Sequence, residues 1–234
     1  MKWTVPRIWE GGTAVIIGGG PSILKQFEVP EYVIKDVYAG RLPLSAYSPF
    51  LEPIHKMHCI AVNVAYKIGP WIDVVFFGDV STWAEDKNEL IKFKGLRVTC
   101  ASGLDNDTRL KHLQRNDKPV KRGQTRRDAI STDPSVLSWN NNSGSASINL
   151  AVHFGVKRII LLGFDMKLDE DSNQHWHKLY TTSKLQLEST FRRHLSPFSS
   201  MKEDLDKLGI EVINANPDSR IECFQRMNFK DIKL

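Results

Sequence analysis

Residues 13–22 read Thr-Ala-Val-Ile-Ile-Gly-Gly-Gly-Pro-Ser, so that an apolar run leads directly into a glycine-rich loop. The run has the length of a buried strand. Proline suits the first turn of a helix, because the N–H that it lacks would have no partner there. The stretch therefore predicts a strand, a loop and a helix start, where free backbone N–H groups can bind an anion. The candidate nucleotide-binding residues of this first loop are Gly18, Gly19, Gly20, Pro21 and Ser22.

Two better-known phosphate-binding motifs do not fit the first loop. The dinucleotide pattern Gly-x-Gly-x-x-Gly would need a glycine at position 23, where Ile23 stands, and the Lys-Ser pair of a P-loop does not follow. The alternative to ligand binding is a glycine-lined turn that only lets the strand and the helix pack closely.

A second loop, residues 140–145, reads Asn-Asn-Asn-Ser-Gly-Ser and precedes a predicted helix, Ser145–Phe154, with a glycine just past its end. Its small residues leave backbone N–H groups accessible, so Ser143, Gly144 and Ser145 are candidates for the same ligand. The alternative is ordinary N-capping, which contributes about 1 kcal/mol to a helix and is compatible with binding. Two such loops in one α/β domain indicate a phosphate-bearing ligand, most simply a nucleotide.

Strand-like and helix-like stretches alternate along the chain, which predicts an α/β protein with a mostly parallel sheet. We expect one Rossmann-like, three-layer α/β/α domain over residues 1–234, with loop insertions at about 28–57, 101–138 and 166–184. A second helix is predicted at about Ser199–Leu208. The predicted strands are Thr13–Gly18, Cys59–Asn63, Asp73–Gly78, Leu96–Cys100, Arg158–Leu162 and Glu211–Asn214.

Polar residues follow several of these strands, and Asn63, Asp79 and Asp165 come after the second, third and fifth. Ligands of an open parallel sheet bind beyond the carboxyl ends of its strands. Asn63 is therefore a candidate contact for a base or ribose, and Asp165 for the same nucleotide. Asp79 could bind a ribose hydroxyl or hold a Mg²⁺ ion that bridges phosphates. Local turn formation is the alternative for each residue.

A histidine cluster, His175-Trp176-His177, lies in the polar third insertion. Either histidine could act as a general acid or base, or could ligate a metal together with Asp165. The alternative is a solvated loop in which Trp176 alone is packed.

The net charge of +5 is concentrated between Arg109 and Arg127, a segment that contains eight basic residues and one acidic residue. This segment could bind nucleic acid or close over a polyphosphate, and a solvated insertion is the alternative. It contains no aromatic residue, which argues against a platform for stacking single-stranded bases.

Three further features bear on the compartment. The sequence has no apolar run long enough to cross a bilayer, and its N-terminus lacks the apolar core of a secretory signal. The three cysteines, Cys59, Cys100 and Cys223, are widely spaced and odd in number, which is typical of reduced, buried thiols. We expect a cytoplasmic protein.

Four elements in this order and spacing resemble a known superfamily. They are the first loop, Asn63, Ser143-Gly144 with the run that ends in Gly163-Phe164-Asp165, and residues 214–219. The superfamily joins small bacterial sialyltransferases to archaeal 6-hydroxymethylpterin pyrophosphokinase MptE-like (DUF115) proteins. Many of its short members are encoded in phages and prophages, so the resemblance implies a phage or prophage protein.

The sialyltransferase branch implies a specific site. There the two loops and the asparagine hold a cytidine nucleotide sugar without a metal, and a histidine before an aromatic residue is the catalytic base. His175 corresponds to that base, and Tyr180 is similar to the tyrosines near the leaving phosphate. Asp79 departs from this branch, which has Asn-Pro there, and looks more like the pyrophosphokinase branch, which uses ATP and Mg²⁺.

The leading hypothesis is a nucleotide-dependent transferase, most simply a glycosyltransferase with a CMP-sugar donor and a small-molecule or glycan acceptor. In it, His175 or His177 deprotonates the acceptor hydroxyl. One alternative is a pyrophosphokinase in which Asp79, with Asp165, holds Mg²⁺ on ATP. The other is a non-catalytic phage protein that binds nucleic acid through residues 109–127. A homo-oligomer is compatible with all three.

Overall fold

The computed structural model describes residues 3–116, 129–179 and 188–234, and its central feature is a parallel sheet. Within these residues the strands are β1 (Thr13–Ile17), β2 (His58–Val62), β3 (Val74–Phe77), β4 (Leu96–Thr99), β5 (Lys111–His112), β6 (Gln114–Arg115), β7 (Val136–Leu137), β8 (Arg158–Leu162), β9 (Glu211–Asn214) and β10 (Gln225–Arg226). Eight of them form a sheet in the order β10-β9-β8-β1-β2-β3-β4-β5, and β6 pairs with β7 separately. Every adjacent pair is parallel, and all six predicted strands are confirmed.

Helices cover both faces of the sheet, as the three-layer prediction required. The α-helices are α1 (Ser22–Gln26), α2 (Glu31–Tyr38), α3 (Val80–Lys92), α4 (Ser143–Phe154) and α5 (Glu188–Lys207), and 3₁₀ helices span Leu44–Ile54, Asn63–Ile68 and Phe229–Asp231. Side chains of α4 and α5 pack with Ala14 and Ile16 of β1 on one face. Those of α1, α2 and α3 pack with Val15 and Ile17 on the other. A strand covered on both faces must be apolar at every position, which explains the continuous run.

The order of the strands places a topological switch beside β1. From β1 the chain proceeds through β2 and β3 to β4, then returns to add β8 and β9 on the other side of β1. Loops that leave β1 and β8 therefore diverge to opposite faces and open a crevice between them. The first glycine loop and Asp165 both lie at this crevice.

Two helix boundaries differ from the prediction. Helix α4 begins at Ser143 instead of Ser145, because Asn142 is its N-cap. Helix α5 begins at Glu188 and contains Pro197, whereas the predicted helix began only after that proline. A proline in the interior of a helix usually breaks it, so the sequence pattern indicates only the part of α5 that follows Pro197.

Two further expectations concern the thiols and the membrane. Cys59 and Cys100 are buried free thiols, as expected, whereas Cys223 is only half-buried. Among the described residues, no helix has both the length and the apolar character needed to cross a bilayer.

Candidate nucleotide site

The carboxyl ends of β1, β2, β3 and β8 open onto a cavity of about 690 Å³. It lies at the switch beside β1, where an open parallel sheet binds its ligands. We call it the switch cavity. Most of the residues singled out from the sequence line it: Gly18, Gly19, Gly20, Asn63, Asp79, Ser143, Gly144, Asp165 and His175.

The remaining candidates lie elsewhere. Pro21 and Ser22 line a neighbouring cavity of about 920 Å³, which also contacts Asp165. Ser145 and His177 are buried and line neither of these two cavities. Tyr180 lies outside the described residues.

Asp165 fastens the first loop to the end of β8. Its Oδ2 accepts a hydrogen bond from the Ser22 N–H at 2.9 Å, and its Oδ1 accepts one from the Ser22 hydroxyl. Asn216, which follows β9, donates a third bond to Oδ1 at 3.0 Å. Burial raises the pKa of this carboxyl, and the bonds from Ser22 and Asn216 oppose that rise. Ser22 and Asn216 thus donate hydrogen bonds to both carboxylate oxygens, and Asp165 thereby fixes the first loop.

The glycines of the first loop are required by close packing. A Cβ on Gly20 would lie 2.6 Å from the Asp165 carboxyl carbon and 2.7 Å from the Gly163 carbonyl oxygen. A Cβ on Gly18 would lie 2.7 Å from that same carbonyl. The glycines therefore do allow the strand and the helix to pack closely. They also line the switch cavity, so close packing and ligand binding are compatible.

The second loop presents the N-terminus of α4 to the cavity. Asn142 Oδ1 accepts the Ser145 N–H at 3.1 Å, and the Ser145 hydroxyl donates to Asn142 O at 2.9 Å, so Ser145 belongs to the cap. Ser143 and Gly144 are the first two residues of the helix, whose N–H groups have no partner four residues back. Both line the cavity, so the donors available to a ligand come from these two residues.

A buried asparagine holds the segment that leads into the second loop. Asn149 of α4 is fully buried, and its Oδ1 accepts the N–H groups of Ser131 at 2.9 Å and Ser138 at 3.0 Å. Its Nδ2 donates to Ser131 O at 3.0 Å. A polar residue in the helix interior thus satisfies the backbone of a loop that crosses it.

Asn63 has an unusual conformation and an unsatisfied oxygen. Its φ is +55°, in the left-handed region that asparagine tolerates better than most residues. Its Oδ1 is buried, and no described group donates a hydrogen bond to it. Strained backbone and unsatisfied polar atoms each cost about 1–3 kcal/mol, and they cluster where ligands bind.

Asp79 stands on the far side of the cavity, after β3. It is exposed, and it is the N-cap of α3 without a capping bond from its side chain. The described residues contain no group of three His, Cys, Asp or Glu side chains arranged to hold a metal ion.

The histidine cluster is folded against the first loop. The Nδ1 atom of His175 lies 2.7 Å from the position that a Cβ on Gly19 would occupy. Between the histidines, Trp176 is fully buried in the core. His177 is also buried, and its ring stacks on that of His175 with centroids 5.0 Å apart. Burial lowers the pKa of His175 to about 4 and that of His177 to about 3, so both imidazoles are neutral at pH 7.

Arg115 and Trp139 form a wall that the sequence motifs did not indicate. The guanidinium carbon of Arg115 lies 4.1 Å from the Trp139 ring centroid, and Nε donates to Cys100 O at 2.5 Å. A second guanidinium nitrogen donates to Gly78 O. Gly78 leaves room for the Trp139 ring, where a Cβ would collide. Arg115 of the basic segment thus lies at the cavity, whereas Arg109 and Lys111 are exposed, and residues 117–128 lie outside the described residues.

Helix α5 contributes a further part of the wall. Phe191, Arg193 and His194 line the cavity, and Asn142 Nδ2 donates to His194 O at 3.1 Å. Burial lowers the pKa of His194. No motif marks these residues, because they come together only through the packing of α5 over the second loop.

Comparison with known proteins identifies the fold. The sequence matches no protein-family model, and no curated protein is significantly similar to it. The structure is similar to the MAf glycosyltransferase from Magnetospirillum magneticum AMB-1, with a TM-score of 0.58, 11% identity and coverage of 99% of this chain. This chain spans 36% of that protein. A likeness at this identity establishes the shared Rossmann-like α/β fold.

A second similar structure is the sialyltransferase CstII from Campylobacter jejuni, solved in complex with a substrate analogue, cytidine-5'-monophosphate. Its TM-score is 0.49 and its identity 14%, over 92% of this chain and 84% of that one.

Proposed function

We propose that this protein is a glycosyltransferase that uses a nucleotide-sugar donor. The observation that carries the proposal is the meeting of three elements in the switch cavity: the first glycine loop, the N-terminus of α4 and the imidazole of His175. The first two are suited to bind phosphate, and the third to move a proton. The likeness in fold to a glycosyltransferase is consistent with this chemistry.

The donor would lie across the end of β1. Its phosphate fits between the first loop and the N–H groups of Ser143 and Gly144, which carry the positive end of the α4 dipole. Asn63, with its unsatisfied Oδ1, would accept a hydrogen bond from the ribose or the base. Arg115 and Lys167 add positive charge to the walls.

The reaction then needs one proton acceptor and one stabilised leaving group. The acceptor hydroxyl attacks the anomeric carbon, its proton passes to the neutral imidazole of His175, and the bond from that carbon to the phosphate oxygen breaks. The nucleotide leaves as an anion, which the N–H groups of the two loops stabilise. A bound phosphate beside His175 would raise its pKa from about 4 toward neutrality and make it a more effective base.

One observation favours diphosphate transfer as a second candidate. Asp79 presents an exposed carboxylate to the switch cavity, opposite the first loop. A carboxylate at that place is suited to a Mg²⁺ ion on the phosphates of ATP.

Calorimetric binding of CMP, CDP, ATP and ADP, each with and without Mg²⁺, separates these functions. The glycosyltransferase proposal expects binding of cytidine nucleotides without metal. It also expects slow release of CMP from a CMP-sugar, lost in His175→Asn while CMP still binds. Mg²⁺-dependent preference for ATP would support the second candidate. Failure to bind any of the four, with salt-sensitive binding of DNA or RNA, would refute both and support the nucleic-acid hypothesis.

A further inference from the structure

The loop that carries His175 is attached to the first glycine loop through Trp176. The indole Nε1–H donates to Gly18 O at 2.9 Å, and the backbone N–H of Trp176 donates to Gly19 O at 3.0 Å. Tyr38 adds a bond from its hydroxyl to His175 O at 3.1 Å. Trp176 itself is fully buried, with its ring edge-on to Tyr47 at 6.0 Å.

The two hydrogen bonds that Trp176 donates, to Gly18 O and Gly19 O, determine the orientation of the peptide groups in the first loop. In a planar trans peptide the carbonyl and the N–H point to opposite sides. The bond from the indole to Gly18 O therefore directs the Gly19 N–H away from the buried ring. The Gly19–Gly20 peptide shows the same opposition. Its carbonyl accepts a bond from the Trp176 N–H on one side, and its N–H donates to Gly163 O at 2.8 Å on the other.

The Gly19 N–H is thus the one glycine donor of the first loop that no described group uses, so it is available to a ligand. Of the three glycines, Gly18 and Gly20 are buried and Gly19 is partly exposed, and all three line the switch cavity. The same residue lies against His175 Nδ1. The N–H that would bind phosphate and the imidazole that would accept the proton are therefore adjacent, and one residue, Trp176, holds both through its side chain and its backbone.

We propose that Trp176 is a positioning residue: its indole N–H orients the Gly18–Gly19 peptide so that the Gly19 N–H faces the donor phosphate, while its backbone holds His175 beside that donor. The inference rests on the proposed function, which supplies the phosphate. It assigns a role to Trp176, which is buried and does not itself line the switch cavity.

The test removes the indole N–H without changing the shape of the ring. Trp176 is replaced by 3-benzothienylalanine, which has sulfur in place of the N–H, and Trp176→Phe serves as a genetically simpler companion. The matched control is the same pair of replacements at Trp83, a buried ring that packs on Phe77 away from the cavity. The probe is CMP, and backbone amide resonances of the ¹⁵N-labelled full chain are followed by NMR.

In the unaltered protein, we expect the Gly19 amide to exchange with solvent faster than that of Gly20 and to shift downfield with CMP. At position 176 the sulfur analogue should weaken CMP binding about tenfold, the loss of one well-aligned hydrogen bond to an anion, and abolish the Gly19 shift. The control pair should leave both unchanged. Unchanged CMP affinity and an unchanged Gly19 shift in the analogue would overturn the proposal.

The free protein gives a second test, which needs no nucleotide. The analogue should move the Gly18 carbonyl ¹³C resonance and should slow the exchange of the Gly19 amide, because the peptide can rotate. If the unaltered protein binds no nucleotide, the proposed function fails, and these two resonances decide separately whether Trp176 orients the loop. No change in either would overturn that orientation.

Discussion

Ser22 donates two hydrogen bonds to Asp165, from its N–H and from its hydroxyl, across 143 residues of sequence. With the bond from Asn216, three donors converge on one carboxylate. The arrangement connects the loops after β1, β8 and β9, which are neighbours in the sheet. It therefore fixes the first loop, which lines the switch cavity, to the ends of β8 and β9.

Asp165→Asn should destabilise the protein by about 1–3 kcal/mol, because the amide NH₂ must face one of three donors and leave it unsatisfied. The free energy of unfolding in urea measures the loss. Asp218→Asn, at an exposed position nearby, is the control and should have little effect. Equal stability of the two variants would show that the carboxylate is not needed.

Alanine at Gly19 and at Gly20 should separate activity from stability. At Gly19 the added Cβ meets the His175 ring, a side chain that can move, so activity should fall more than stability. At Gly20 it meets the Asp165 carboxyl and the Gly163 backbone, which cannot move cheaply, so the melting temperature should fall as well. Thermal unfolding and CMP release from a CMP-sugar measure the two effects. The reverse ranking of melting temperatures would contradict this packing.

Replacement of Asn63 should show that its conformation is maintained for a ligand. Asn63→Gly accepts the left-handed φ without strain, so we expect stability to be kept and nucleotide affinity to fall about tenfold. Asn63→Ala should lose the same affinity and in addition about 1 kcal/mol of stability. Urea unfolding and calorimetry test the pair. Wild-type affinity in both variants would remove Asn63 from the site.

The stacked histidines should make the fold sensitive to acid. Their folded pKa values, about 4 and about 3, lie below the value of about 6.5 expected when unfolded. Stability is therefore fully present above pH 6.5 and is lost as pH falls, down to about 4 for His175 and about 3 for His177, with a slope approaching about 1.4 kcal/mol per pH unit for each histidine. The free energy of unfolding measured at several pH values should fall less steeply in His177→Gln. An identical slope would mean that His177 is not protonated on unfolding.

The sheet could be predicted from the sequence because its central strands, β1, β3 and β8, are mostly continuous apolar runs. In contrast, β5, β6, β7 and β10 have two residues each, which is too few to carry a periodic pattern. The extent of α5 was obscured by Pro197, a residue that argues against the helix in which it lies.

For the site, the sequence indicated which loops meet but not how each residue is used. Asp165 and Ser145 were candidates for ligand contacts, and the structure engages both in hydrogen bonds within the protein. Arg115 and Trp139 reach the cavity through non-local packing, which no local pattern encodes. Ligand contacts of Gly19, Asn63 and His175 remain predictions, as does binding of nucleic acid by residues 109–127.

The position of β1 in the sheet also has a consequence for how the protein is made. β1 pairs with β2 on one side, and on the other Thr13 pairs with Arg158 of β8. During synthesis the first strand can therefore find one neighbour early but must wait for most of the chain before it finds the second. Contacts so distant in sequence form slowly, and an apolar strand edge stays open meanwhile. A nascent chain arrested before residue 158 should accordingly recruit chaperones, and should form the switch cavity only when β8 has left the ribosome.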